Sequence, residues 1–179
     1  LQRGDLPFGR AGTAWFCEDR NNGNCEGNNQ AGIHSLFSPP IVLPPTVDVP
    51  TLVFTHFVES EPRYDGGNVS LRIDGGTWQL IPVAAFTYNH HNAALFSTVL
   101  GNTNPVSGQI SFTGVGGQWG TSIVDLGSFV SGGETIEFRF DFSKDNCFGL
   151  TGWFIDDFAI YDCASSGDCN STGIVDEVD

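Results

Sequence analysis

Hydrophobic residues in this chain alternate with polar ones at a period of two, and no stretch sustains the 3.6-residue spacing of an amphipathic helix. The clearest case spans residues 135–142. There Ile136, Phe138, Phe140 and Phe142 point one way, and Thr135, Glu137, Arg139 and Asp141 the other. Val69, Leu71 and Ile73 alternate with Ser70, Arg72 and Asp74 in the same manner, and Asp74-Gly75-Gly76 turns the chain into a second short strand over 77–81. Over 52–58, Leu52, Phe54 and Val58 interleave with Val53, Thr55 and Phe57, which predicts a strand covered on both faces. Shorter strands over 110–113 and 122–126 flank a glycine-rich turn, and 153–161 forms the last long one. The pattern predicts an all-β fold of about seven or eight strands, most simply a jelly-roll β-sandwich of two antiparallel sheets.

Composition fits one such domain. The chain has 179 residues with 15 Phe, 4 Trp, 23 Gly, 9 Pro and no Met, which suits strands joined by glycine turns. Its 21 acidic and 7 basic residues give a net charge of −14, which argues against nucleic acid or anionic lipid as partners and in favour of cations. No apolar run approaches the roughly 18 residues that would span a bilayer, so no membrane insertion is expected. Cys17 and Cys25 bracket one short polar loop, and Cys163 and Cys169 another. Each pair reads as a local disulfide formed in an oxidising compartment, with Cys147 left over. Zinc is the rival reading of these cysteines, but no Cys-x-x-Cys occurs. A secreted or cell-surface protein is expected, and the lack of a signal peptide fits a mature chain starting at Leu1.

Residues 168–179, DCNSTGIVDEVD, follow the spacing of an oxygen-ligand calcium loop. Asp168, Asn170 and Thr172 take the first, third and fifth places, and Gly173 the sharp turn. Ile174 offers its backbone carbonyl, Asp176 the ninth ligand and Asp179 the twelfth. Ca²⁺ needs six to eight oxygens at about 2.3–2.6 Å, and this spacing wraps them around one point. The competing reading is an acidic solvated tail.

Several short motifs occur in order along the chain. They are Leu36-Phe37-Ser38-Pro39-Pro40-Ile41, Phe54-Thr55-His56 and Glu61-x-x-Tyr64-Asp65-Gly66-Gly67. Ile73-Asp74-Gly75-Gly76-x-Trp78, Gly108-x-x-x-Phe112-x-Gly114 and Gly152-Trp153-Phe154-Ile155-Asp156-Asp157 follow. Together, over residues 13–162, they resemble the MAM-like jelly-roll domains that accompany secreted bacterial metalloproteases of the immune-inhibitor-A type. The final segment, 163–179, resembles the calcium loop of dockerins. A dockerin carries two such loops, each followed by a helix, whereas one loop is present here, so a C-terminal clamp is expected rather than cohesin docking. The resemblance implies a structural calcium within the jelly roll, with Glu61, Asp65 and Asp157 as the matching ligands and Asp156 beside them. At most one of these two adjacent aspartates is expected to face inward. Residues 1–12 read as an extended N-terminal segment, free to pair within its own domain or to reach into another subunit.

Enzyme signatures are absent from the pattern: there is no G-x-S-x-G and no H-E-x-x-H. His56 reads as a hydrogen-bonded core histidine, and His90-His91 as a surface pair in a polar loop. Trp78 and Trp153 read as core, whereas Trp119 among glycines and Tyr88 in YNHHN are candidate stacking platforms for a ligand. The sequence therefore predicts a non-catalytic, calcium-binding jelly-roll module for adhesion or for targeting a glycan or surface protein. The alternative is a self-assembling extracellular subunit whose copies join by strand exchange and calcium.

Overall fold

The alternating apolar positions become the facing surfaces of antiparallel sheets. The structure, a computed structural model, describes residues 2–19 and 31–162. In chain order its strands are β1 (Gln2–Arg3), β2 (Ala14–Glu18), β3 (Gly32–Phe37), β4 (Ile41–Val42), β5 (Pro50–Glu59), β6 (Gly66–Ile73) and β7 (Gln79–Leu80). They continue as β8 (Phe86–Tyr88), β9 (Ala93–Ala94), β10 (Ile110–Ser111), β11 (Gly120–Asp125), β12 (Thr135–Lys144) and β13 (Gly152–Asp162). One sheet has the order β1-β2-β13-β5-β11-β8 and the other β3-β12-β6-β7. Strand β4 also pairs with β12, and β9 and β10 form a small separate ribbon. Among the described residues no helix is long and apolar enough to cross a membrane.

The expected inward row on β12 is the centre of the core. Ile136, Phe138, Phe140 and Phe142 are at most 2% exposed and pack with Leu52, Phe54, Val69 and Trp153 from β5, β6 and β13. The Asp74-Gly75 turn has φ of 48° and 69°, the left-handed pair that a tight hairpin needs, and it brings Leu80 opposite Ser70. Gly67 has a different reason to be glycine. A Cβ there would sit 2.3 Å from the Trp153 ring, so the backbone of β6 lies directly on the indole.

Strand β5 is covered on both faces, as its pattern predicts. Its second face belongs to a smaller cluster of Leu6, Ala14, Phe16, Phe57 and Phe154, with Trp119 against it. The N-terminal segment supplies part of that cover: Gln2 and Arg3 pair with Trp15 and Ala14 of the same chain. Trp78 departs from its expected place. It lies outside both core clusters, half-buried, with the guanidinium groups of Arg72 and Arg139 over its ring at 4.6 and 5.0 Å. The preceding Asp74-Gly75-Gly76 turn delivers it to the charged row of β6 and β12 rather than to the apolar one, because Arg72 and Arg139 belong to that polar row.

Two histidines are part of the interior. The Trp153 indole N–H donates to His56 Nδ1 at 3.0 Å. The ring proton of neutral His56 therefore sits on Nε2, 3.0 Å from Ser122 Oγ. Burial holds His56 neutral, with its pKa pushed down to about 3. His91 corrects the expectation of a surface pair: it is 1% exposed, and of the two only His90 is exposed. Its ring packs 4.8 Å from Phe86 and 4.6 Å from Phe112, neither ring nitrogen has a hydrogen-bond partner, and burial pushes its pKa down to about 4.

Two tests follow from this packing. Gly67→Ala is expected to lower unfolding free energy by about 1–3 kcal/mol in urea titrations, because β6 or Trp153 must move. A neutral cost would mean the β6–indole contact is loose. For the histidines, the unfolded chain takes up protons near pH 6.5 while the folded chain resists until about 4 and 3. Their contribution to stability is therefore complete above pH 6.5 and lost as pH falls. His91→Phe keeps a ring between Phe86 and Phe112, and should flatten the stability-versus-pH slope between 6.5 and 4 by one proton, about 1.4 kcal/mol per pH unit. An unchanged slope would show that His91 is not held neutral.

Candidate metal centre and groove

Four strand ends bring acidic side chains together at one end of the sandwich. Asp19 follows β2, Glu61 follows β5, Asp65 precedes β6 and Asp145 follows β12. Glu61, Asp65 and Asp145 each place a carboxylate oxygen within 4.8 Å of the others. Asp19, Asp65 and Asp145 are buried, with exposures of 0, 1 and 4%. Backbone amides fix one oxygen of three of these groups: Asp145 N–H donates to Asp65 Oδ1 at 2.6 Å, Cys147 N–H to Asp145 Oδ1 at 2.7 Å, and Leu150 N–H to Asp19 Oδ2 at 3.1 Å. The second oxygens of Asp19 and Asp65, and Oε2 of Glu61, are buried without a hydrogen-bond donor among the described residues.

Such oxygens are costly unless something positive reaches them. Burial raises the Asp65 carboxyl most, helped by the neighbouring Asp19, and pushes it up to about 8. Burial likewise raises Asp19 and Glu61, while Lys144 acts on Asp19 in the opposite sense. Close, buried, oxygen-only donors suit a hard divalent cation. At neutral pH the arrangement can otherwise hold its charge only by sharing protons.

The loop that carries Glu61 and Asp65 is itself braced. The Ser60 and Thr113 hydroxyls donate to the Asp65 carbonyl at 3.0 and 2.6 Å. Asn102 and Asn104 donate their side-chain amides to the Tyr64 carbonyl at 3.1 and 2.8 Å.

Asp157, matched to this centre by resemblance, is not brought to it. A register shift between Asp156 and Ala159 interrupts the pairing of β13 with β5, and Asp157 takes a left-handed φ of 49° there. The bulge turns both aspartates to Arg10: Asp156 Oδ2 accepts from Nε at 3.0 Å, and Asp157 Oδ2 from Nη2. Neither faces inward.

Asp19 and Asp145 are the members that the sequence reading missed. Their one signal is position, since each is the first residue after a strand with its partners far away along the chain. The terminal loop ligands Asp168, Asn170, Thr172, Ile174, Asp176 and Asp179 lie outside the described residues, as do Cys25, Cys163 and Cys169. Cys17 is a free thiol, which corrects its expected pairing with Cys25. Cys17 belongs to the core cluster at the strand position opposite Trp153, and burial pushes its pKa up to about 11. Cys147, the leftover cysteine of the sequence reading, is disulfide-bonded.

Beside the metal candidate lies a cavity of about 760 Å³ that contains both aromatic candidates, Tyr88 and Trp119, in its lining. Tyr88 is exposed. Trp119 is fixed in place, its indole N–H donating to the Pro7 carbonyl at 2.9 Å and the Arg10 guanidinium 4.7 Å from its ring centre. Neutral amides and hydroxyls complete the polar wall through Asn89, Asn92, Gln118 and Thr121, and among the described residues no carboxylate contributes to the lining. Compared with known proteins, the chain matches no family model, and no curated protein matches it at a significant level.

Proposed function

We propose that this protein is a secreted, non-catalytic β-sandwich module. It holds Ca²⁺ at Glu61, Asp65 and Asp145 and binds a glycan in the groove bordered by Tyr88 and Trp119. The observation that carries the metal half is the convergence of buried carboxylate oxygens that no donor satisfies. Calcium is favoured over softer metals because every available donor is oxygen. Asp19, whose carboxyl acts directly on that of Asp65, adds negative charge without being one of the three converging ligands. Weak calcium sites of this kind work at the millimolar levels found outside cells.

The glycan half rests on the groove's chemistry. Amide and hydroxyl groups match sugar hydroxyls, and an exposed tyrosine beside an immobilised tryptophan offers faces for ring stacking. Hydrolysis would need two opposed carboxyl groups in the cavity, whereas its lining has none and His56 is committed to Trp153 and Ser122. Self-assembly is the weaker reading, since β1 pairs with β2 of its own chain and the following residues contribute to that chain's own apolar cluster.

Calcium binding is best tested in an Asp168→Ala background, which removes the proposed terminal loop site. Saturating calcium, about 100 times Kd, should stabilise this variant by about 2.7 kcal/mol. Adding Asp65→Asn should abolish both that gain and the heat of binding in calorimetry. If chelation leaves the melting temperature unchanged, the metal assignment is wrong.

The glycan reading is tested by an array followed by Tyr88→Ala, chosen because Tyr88 is exposed and peripheral to the core. Affinity for any hit should fall roughly tenfold or more. A blank array, or a hit that Tyr88→Ala binds equally well, would remove the glycan assignment.

A further inference from the structure

The carboxylate cluster and the groove share a wall. Thr113 lines the groove, yet its hydroxyl donates to the Asp65 carbonyl at 2.6 Å and accepts from the Arg63 N–H at 2.8 Å. Its main chain is clasped from the groove side, where Asn92 Nδ2 donates to the Thr113 carbonyl and Thr113 N–H to Asn92 Oδ1, each at 2.9 Å. Ser60 makes the parallel link. Its hydroxyl donates to the Asp65 carbonyl and accepts from Gly114 N–H at 3.1 Å, while its own N–H donates to the Gly114 carbonyl at 3.1 Å. Further along the groove wall, Gly116 donates its N–H to the Val58 carbonyl at 3.2 Å.

We propose that cation occupancy at Glu61, Asp65 and Asp145 sets the shape of the groove through Thr113 and Ser60, so that ligand is taken by the cation-loaded form. This rests on the cation reading above. Asp145 directly follows the long ladder strand β12, whereas Glu61 and Asp65 sit on the connection between β5 and β6. When the cation leaves, the repulsion among these groups is relieved most easily by displacement of that connection. The Asp65 carbonyl moves with it, and it is the acceptor shared by Thr113 and Ser60. The wall from Thr113 to Trp119 then loses its anchor on the metal side. Linkage is reciprocal, so a groove ligand should tighten the cation by the same factor. Thr113 is a positioning residue here, and it touches the metal centre through backbone carbonyls, that of Asp65 at 2.6 Å and more weakly that of Glu61 at 3.4 Å.

The test uses calcium alone, on the full chain carrying Asp168→Ala. Amide and indole NMR signals of Gly114, Gly116, Gly120 and Trp119 are followed while calorimetry reports occupancy. The groove signals should move in step with occupancy. Thr113→Val should still bind calcium, with Kd weakened about fivefold, and should lose more than half of the groove response. Thr113→Ser, which restores the hydroxyl, should recover both. Calcium binding with stationary groove signals, or a Thr113→Val response equal to that of the parent, would overturn the coupling and leave the metal site standing. Absence of any calcium heat would overturn both.

Discussion

The constraint on which the site depends is electrostatic. The sandwich closes with three buried aspartates and a glutamate at neighbouring strand ends. Two like charges 4.8 Å apart repel by roughly 3 kcal/mol at an effective dielectric constant of about 20. Were all three ionised, the mutual pairs among Glu61, Asp65 and Asp145 would together carry a strain comparable to a domain's whole net stability, and the raised Asp65 carboxyl is the response to burial and these neighbours. Backbone amides from Asp145, Cys147 and Leu150 offset part of it, but each satisfies only one oxygen. Because the acids arrive from separate strands, the strain falls on the places where strands enter and leave the sheets, and one of these, the connection between β5 and β6, is hydrogen-bonded to Thr113 of the groove lining.

The opposite face of the six-stranded sheet shows how the groove keeps its shape on its other side. Trp119 is held by Pro7, Phe57 and Phe154, and by the Arg10 guanidinium, which is itself anchored to Asp156 and Asp157. The bulge in β13 that removes Asp157 from the carboxylate cluster thus serves the groove instead. It presents two acids to one arginine of the N-terminal segment, which fixes the tryptophan. A substitution at Arg10 and one at Asp65 would act on the same cavity from opposite walls, one through packing and the other through charge.

The strands were legible because a two-residue period survives any tertiary arrangement. The rows Ile136–Phe142 and Val69–Ile73 face inward where alternation puts them, and the Asp74-Gly75 turn follows from its residues. Half of the carboxylate cluster, Glu61 and Asp65, was legible only through the family resemblance, whose motif contains both. Asp19 and Asp145 were not, because nothing local distinguishes an acid that ends a strand at a buried junction from one in a solvated loop. Asp157 was misplaced for a related reason: a bulge breaks the parity on which any inward-or-outward argument rests. His91 sits among polar neighbours in sequence, and Phe112, one of the two rings that bury it, is 21 residues away on another segment. Sequence pattern reports which face a residue is on within its own strand, and contacts across the sandwich decide the rest.

Under the proposed cation reading, protons and a divalent cation would be alternative occupants of the same oxygens. With burial raising the Asp65 carboxyl to about 8, the cation-free protein holds a proton near neutrality that the unfolded chain has released. A bound cation would have to expel it, so affinity should weaken as pH falls. The two occupants are not equivalent mechanically. A shared proton joins two carboxyl oxygens at a time, whereas a calcium ion draws several toward one centre. Only the second would draw the connection between β5 and β6 toward Asp145, and the Asp65 carbonyl within that connection is the acceptor on which Thr113 and Ser60 converge. Neutralising the acids would relieve their repulsion, but gathering them is what would hold the groove wall in place.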